Sequence, residues 1–250
     1  MSRALETARS TLIWAIALPL LVVFCVLIIG LSLVHRGRGL DALMKTACRI
    51  LLFCCGVRVT IRGAGNITPG AQYIVMMNHV NFFDPLVFYS RYPGLVRGIE
   101  EESHFRWPFY GWMLRRTGMI PISRKDTARA LESLARAAAM VRERPEYSIA
   151  ILPEGTRTRD GRIGPFKRGG FHLAVETGLD ILPVVQTGAF RINRKGSLLI
   201  RPGRVALAVL PPVPVTAYGR DGVERLADRV RASIIAAAEA GSARAPSPSP

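Results

Sequence analysis

An α/β domain carried behind an N-terminal membrane helix is what the sequence predicts, on three observations. Residues 11–34 contain no charge, short β-type runs alternate with helical ones beyond residue 56, and the loops after two of those runs concentrate ionisable residues and glycine. At 250 residues the chain is long enough for one large domain with accessory segments. Its 34 Lys+Arg against 18 Asp+Glu leave a net charge of +16, so an acidic partner is expected: nucleic acid, an anionic membrane, or a phosphorylated or acidic-carrier substrate. A mean hydropathy of +0.23 alongside a pI near 10.9 argues against a soluble nucleic-acid binder and for a basic protein that meets lipid.

The first element is the uncharged run 11–34. At about 1.5 Å per residue it reaches roughly 36 Å, enough for a hydrocarbon core of about 30 Å. It is too long for a signal-peptide core, and no small-x-small cleavage site follows it. Arg36, Arg38, Lys45 and Arg49 follow the helix, while Arg3 and Arg9 precede it with Glu6, a bias that puts the main domain on the cytoplasmic side. A second apolar stretch over about 42–55 is interrupted by Lys45 and Arg49 at i, i+4. It reads as an amphipathic helix lying on the membrane, or as the first helix of the domain. Six basic residues against one acid over 36–62 would then meet anionic headgroups, at about 1 kcal/mol each. Residues 1–56 are thus an anchoring segment, 57–240 the main domain, and 241–250, GSARAPSPSP, a disordered tail.

Within the main domain, 57–63 alternates as a half-exposed strand, and 73–77, 148–152 and 181–185 are continuous apolar runs typical of buried strands. A helix runs from an Asp126 N-cap to about Glu143, with Ala130, Leu131, Leu134, Ala138 and Val141 as its apolar stripe. Cys25, Cys48, Cys54 and Cys55 all fall in the first quarter and read as small hydrophobes, and the four histidines show no ligand spacing, so no metal is expected.

Two loops carry the chemistry. After the run 73–77 come Asn78, His79 and, five positions on from His79, Asp84. There the carboxylate can hold one imidazole nitrogen and leave the other free to take a proton, or Asp84 can simply cap the next helix with Pro85 at its first position. After the run 148–152 come Pro153, Glu154, Gly155, Thr156 and Arg157, leading to Phe166, Lys167 and Gly169. An Arg fork beside a carboxylate suits a phosphate or hydroxyl, and Arg124 ends another short apolar run in the same way. No G-x-S-x-G elbow occurs, which argues against a serine hydrolase.

Taken in order, these blocks resemble the glycerolipid acyltransferases, best known as the 1-acyl-glycerol-3-phosphate acyltransferases. Asn78, His79 and Asp84 match N-H-x4-D; 118–124 matches a glycine, an apolar run and an arginine; Pro153 to Arg157 match P-E-G-T-R; and Leu182, Pro183 and Val184 match the fourth block. The similarity spans about 57–214, with one departure, Pro121-Ile122-Ser123 where the family often has Phe and Asp before the arginine.

The resemblance implies a mixed sheet flanked by helices in a glycerol-3-phosphate acyltransferase-like domain. It implies transfer of a fatty acyl group from acyl-CoA or acyl carrier protein to the sn-2 hydroxyl of lysophosphatidic acid, giving phosphatidic acid at the inner membrane without cofactor, metal or nucleic acid. His79 oriented by Asp84 would be the base. Asn78, Arg124, Glu154, Gly155, Thr156, Arg157 and Lys167 would bind substrate, with Lys167 serving either the phosphate or the developing oxyanion. The same blocks would fit another lyso-lipid, such as lyso-ornithine lipid. A non-catalytic anionic-lipid binder leaves the four ordered blocks unexplained.

Overall fold

The computed structural model describes residues 3–35 and 37–243. Helix α1 (Arg3–Val34) starts eight residues before the uncharged run, because Arg, Ala, Leu and Glu are all good helix formers, and it continues through Pro19. Among the described residues it is the one helix long and apolar enough to cross a membrane, with a mean hydropathy of 3.1 in its most apolar window. Ile13, Ala17, Phe24 and Ile28 form a buried stripe, while Leu12, Ile16, Val23 and Leu27 face outward.

Helix α2 (Arg38–Cys54) differs from a helix lying cation-first on headgroups. Lys45 Nζ donates to the carbonyls of Pro93 and Gly94 at 3.2 and 2.8 Å, and Arg49 Nε to that of Ser90 at 2.9 Å, so Arg49 caps the last turn of α3 (Asp84–Arg91) and Lys45 holds the loop after it. Asp41 is buried against Arg97 through bonds of 2.8 and 3.1 Å, and Arg97 lies over the Tyr147 ring at 4.0 Å. Its exposed residues are mixed: Arg38, Thr46 and Arg49 stand beside Ile50 and Phe53, the last 81% exposed. The charge at Arg36 lies outside the described residues.

The sheet has seven strands in the order β1-β7-β6-β2-β5-β3-β4: Val57–Arg62, Gly203–Val209, Ile181–Thr187, Ile74–Met77, Tyr147–Ile151, Leu95–Glu101 and Ile120–Ile122. Every pairing is parallel except β6 with β7, so the sheet is mixed. The apolar runs 73–77 and 181–185 occupy its centre, as strands buried on both faces should. Val75 and Met77 point to the side of α1, α2 and α3; Ile74 and Met76 point to the side of α5 (Thr127–Glu143), α6 (Gly169–Thr177) and α8 (Val223–Ala243).

The Asp126 N-cap holds, accepting from Arg129 N–H at 3.2 Å, but Leu131 is 62% exposed; Ser133, Ala137, Ala138 and Val141 form the buried stripe, because the helix turns Leu131 toward a cavity rather than the sheet. Residues 241–243 complete α8 and so are not tail, while 244–250 lie outside the described residues. The cysteines are free, and burial pushes the Cys55 thiol up to about 11, in keeping with an unreactive apolar filler.

Candidate active site

Strand β2 lies between β5 and β6, all three parallel, so the loops leaving the carboxyl ends of β2 and β5 meet above the sheet. Two main-chain links fasten them. The His79 N–H donates to Glu154 Oε1 at 2.6 Å, and the Thr158 N–H donates to the His79 carbonyl at 3.0 Å.

His79 Nδ1 lies 2.7 Å from Asp84 Oδ2. That carboxylate is fully buried and also accepts from the Val80 N–H at 2.6 Å and the Asn81 N–H at 3.0 Å. It therefore closes the turn behind itself rather than capping α3, in which it is the first residue, with no side-chain cap. With Nδ1 donating to a carboxylate, the proton-free position of the imidazole is Nε2. No group among the described residues bonds Nε2, and His79 lines a cavity of about 1160 Å³.

The cavity is lined by both apolar and charged side chains. Trp14, Leu21, Leu51 and Phe82 are among its apolar lining residues; Arg124, Arg157 and Lys167 are among its charged ones, together with Glu100, Glu101 and Asp126. Gly155 sits at φ +66°, and a Cβ there would lie 2.8 Å from Lys167 Cε, so only glycine lets that lysine fold across the loop. The charged ends of Arg157 and Lys167 have no partner among the described residues, whereas Arg124 Nε is paired with Glu101. Lys195 is held below its ordinary lysine range by desolvation and by Arg159, Arg157 and Arg124, so these cations lie near one another beside the site.

Three residues expected at the substrate have other occupations. Asn78 Oδ1 accepts from the Gln186 N–H at 2.8 Å and its amide donates to the Gln186 carbonyl at 3.1 Å, which ties β2 to β6, and Asn78 does not line the cavity. Glu154 Oε1 is taken by His79 N–H and Oε2 by the Gly164 N–H at 2.8 Å, so both oxygens hold backbone. Burial raises its pKa while those two amides oppose the rise. Thr156 Oγ1 accepts from Lys195 Nζ at 2.7 Å on the protein surface. In the basic run 191–204, Arg201 is likewise paired, with Glu6 of α1 at 2.9 Å.

The structure also brings in residues no motif marked. His104, bonded to Glu100 at 2.7 Å, and His172 line the same cavity as His79 although they are 25 and 93 positions away. No local spacing signals this, because the 3-10 turn Glu102–Arg106 after β3 and helix α6 supply them. Among the described residues no three His, Cys, Asp or Glu side chains are grouped to hold a metal.

The sequence model of the acyltransferase family matches residues 58–187. The chain is 34% identical over 203 residues to 1-acyl-sn-glycerol-3-phosphate acyltransferase alpha of Bos taurus, covering 80% of this chain and 70% of that protein. It is 30% identical over 197 residues to the 1-acyl-sn-glycerol-3-phosphate acyltransferase of Borreliella burgdorferi, covering 78% of each. The crystal structure of the 1-acyl-sn-glycerophosphate acyltransferase of Thermotoga maritima has the same fold, with a TM-score of 0.85 over 99% of this chain and all of that one, at 22% identity.

Proposed function

This chain belongs to the acyltransferase family, and we propose that it transfers a fatty acyl group from a thioester to the sn-2 hydroxyl of 1-acyl-glycerol-3-phosphate, giving phosphatidic acid. The observation that carries this reading is the Asp84-held imidazole of His79, which lines one cavity together with Arg157, Lys167 and many apolar side chains. The acceptor hydroxyl gives its proton to Nε2 as its oxygen bonds to the thioester carbonyl carbon. The C–S bond then breaks, and the departing thiolate takes the proton back from the imidazolium. Transfer is direct, without an acyl-enzyme. Arg157 and Lys167, whose charges are free for an anion, take the acceptor phosphate, and Arg124 contributes from its Glu101 pair. Holding both substrates against His79 supplies a further share of the rate.

The outward face of α1 embeds in the inner membrane and the domain stands on the cytoplasmic side, in keeping with the basic flank after α1. Drawing a long-chain lipid fully into water would cost about 0.8 kcal/mol per methylene, so a site at the bilayer surface has a clear advantage. Acyl-CoA and acyl carrier protein both offer a thioester on an anionic carrier, which suits the cations gathered around Lys195.

The test is acyl transfer from oleoyl-CoA, and separately from acyl carrier protein, to lysophosphatidic acid in vesicles, comparing the native chain with His79→Ala at matched folding. Phosphatidic acid formed by the first and lost with the second is the expected result. Turnover that survives in the variant removes His79 as the base. A folded native chain that acylates no lysophosphatidic acid from either donor removes the acceptor assignment and directs the search to other lyso-lipids.

A further inference from the structure

Beside the cavity, two short segments carry cations toward one another. One is the loop after Arg157, with Arg159 and Arg162; the other is the turn 194–197, with Arg194 and Lys195. Lys195 Nζ donates to Thr156 Oγ1 at 2.7 Å, which fastens the turn to the loop. The Ser197 N–H closes the turn on the Arg194 carbonyl at 3.0 Å, and the Asn193 amide donates to the carbonyls of Ser197 and Leu199 at 2.8 and 3.0 Å. The Asn193 carbonyl in turn accepts from the buried Asn81 amide at 3.4 Å, so these cations are held in register with the turn that carries His79.

Their charges have no counterion. Arg159 and Lys195 pair with no carboxylate among the described residues, and Arg194 lies over the Phe190 ring at 5.3 Å. The acid of the loop, Asp160, is occupied: Oδ1 accepts from the Thr158 hydroxyl at 3.1 Å and the Arg162 N–H at 3.0 Å, and Oδ2 stands 3.9 Å from the Arg162 guanidinium. Desolvation and the nearby Arg159, Arg157 and Arg124 lower the pKa of Lys195. Like charges held together in this way repel, and an anion bound among them relieves the repulsion. Gly196 and Ser197 of the turn line the active-site cavity, whereas Arg159, Arg194 and Lys195 do not. The cluster therefore lies next to the space in which Arg157 and Lys167 take the acceptor phosphate, and outside it.

We propose that Arg159, Arg194 and Lys195 form a subsite for the 3′-phosphate and diphosphate of an acyl-CoA donor. The thioester has to reach His79, and the pantetheine arm separates it from those phosphates, so the charged end of the donor belongs outside the cavity. A phosphate monoester carries about −1.5 to −2 charge at neutral pH and three strong acceptor oxygens. An arginine fork binds such oxygens in pairs, and a lysine ammonium meets them as a point charge. A few cations gathered on two short segments fit the phosphates of one nucleotide, whereas the acidic face of a carrier protein calls for cations spread over a protein-sized interface. This inference rests on the thioester-transfer reading above and adds to it which donor the chain takes.

The experiment uses the full chain in phosphatidylcholine vesicles. Calorimetry compares the binding of CoA with that of 3′-dephospho-CoA, which needs no turnover, and steady-state transfer to embedded 1-oleoyl-lysophosphatidic acid compares oleoyl-CoA with oleoyl-3′-dephospho-CoA. The native chain is expected to favour the 3′-phosphorylated form about tenfold, in Kd and in donor kcat/KM. In Arg159→Ala and in Lys195→Met that preference is expected to fall below threefold, with Arg159→Lys recovering part of it and the KM for lysophosphatidic acid staying within twofold of native. Arg142→Ala, which removes an equal charge from an exposed pair with Glu176, is expected to keep the full preference. A native preference below threefold, or one that both variants retain, overturns the subsite. Variants that lose transfer only from oleoyl-acyl carrier protein also overturn it and assign the cluster to an acidic protein surface. Preferential binding of CoA without transfer to lysophosphatidic acid leaves the subsite standing and removes the acceptor reading instead.

Discussion

Glu154→Gln separates two roles for the carboxylate of the P-E-G-T-R block. One oxygen accepts the His79 N–H at 2.6 Å, the other the Gly164 N–H at 2.8 Å, in a residue 7% exposed. Glutamine keeps one acceptor oxygen and turns an NH2 toward the other amide, so one charge-assisted bond is lost and a buried N–H is left without a partner. A hydrogen bond to a charged group contributes about 1.5–3 kcal/mol, and a loss of about 2 kcal/mol is expected in unfolding free energy. If that loss falls on the turn that holds the imidazole, kcat drops about 30-fold, at 1.36 kcal/mol per decade. The assay is steady-state transfer to vesicle-embedded lysophosphatidic acid, paired with thermal unfolding in detergent. A positioning role lowers kcat and the unfolding temperature and leaves the acceptor KM near native. A KM for the acceptor that rises about tenfold with kcat and unfolding temperature intact would refute the reasoning, because it would mean that a Glu154 oxygen touches substrate.

Asp84→Asn is expected to retain the fold and to lower kcat by about 100-fold or more, since an amide that donates to Nδ1 moves the imidazole proton to Nε2 and removes the base; pre-steady-state transfer measures it. Arg157→Ala should raise the KM for lysophosphatidic acid by about 10- to 100-fold, with Arg157→Lys recovering part of the loss, because the guanidinium has no other partner among the described residues. Asn78→Ala should lower stability by about 1–3 kcal/mol by leaving the buried Gln186 N–H and carbonyl unpaired, read as a shift in the denaturant midpoint. Asp41→Ala strands the buried Arg97 charge and should cost about 3–5 kcal/mol by the same measurement, far more than removing an exposed pair such as Arg142 with Glu176.

The continuous apolar runs 73–77, 148–152 and 181–185 were legible as strands because the centre of a parallel sheet is buried on both faces and demands uninterrupted apolar residues. Strand β3 was not legible: LVRGIEE carries Arg97, whose charge is tolerated only because Asp41 of α2 reaches it from elsewhere in the chain, and Glu100 and Glu101, which pair with His104 and Arg124. Of the stripe expected on α5, Ala138 and Val141 are buried, whereas Ala130, Leu131 and Leu134 fit the helical period but line a cavity. Lys45 and Arg49 sat at the right spacing for one face, and only the approach of α3 gave both cations carbonyl partners.

The same division holds at the site. The sequence alone determined which chemistry was available, because a His and an Asp five positions apart can meet through local backbone in a single turn, and His79 and Asp84 do. It also determined the membrane-length apolar helix, since hydrophobic length is a property of composition. What each polar group of the loops was occupied with, only the tertiary structure decided. A carboxylate or amide is available to a substrate only if no backbone group reaches it first, and those competitors come from distant segments: Gly164 for Glu154, Gln186 for Asn78, Lys195 for Thr156. Arg157 and Lys167 remain for the anion because no described residue comes close enough to claim them.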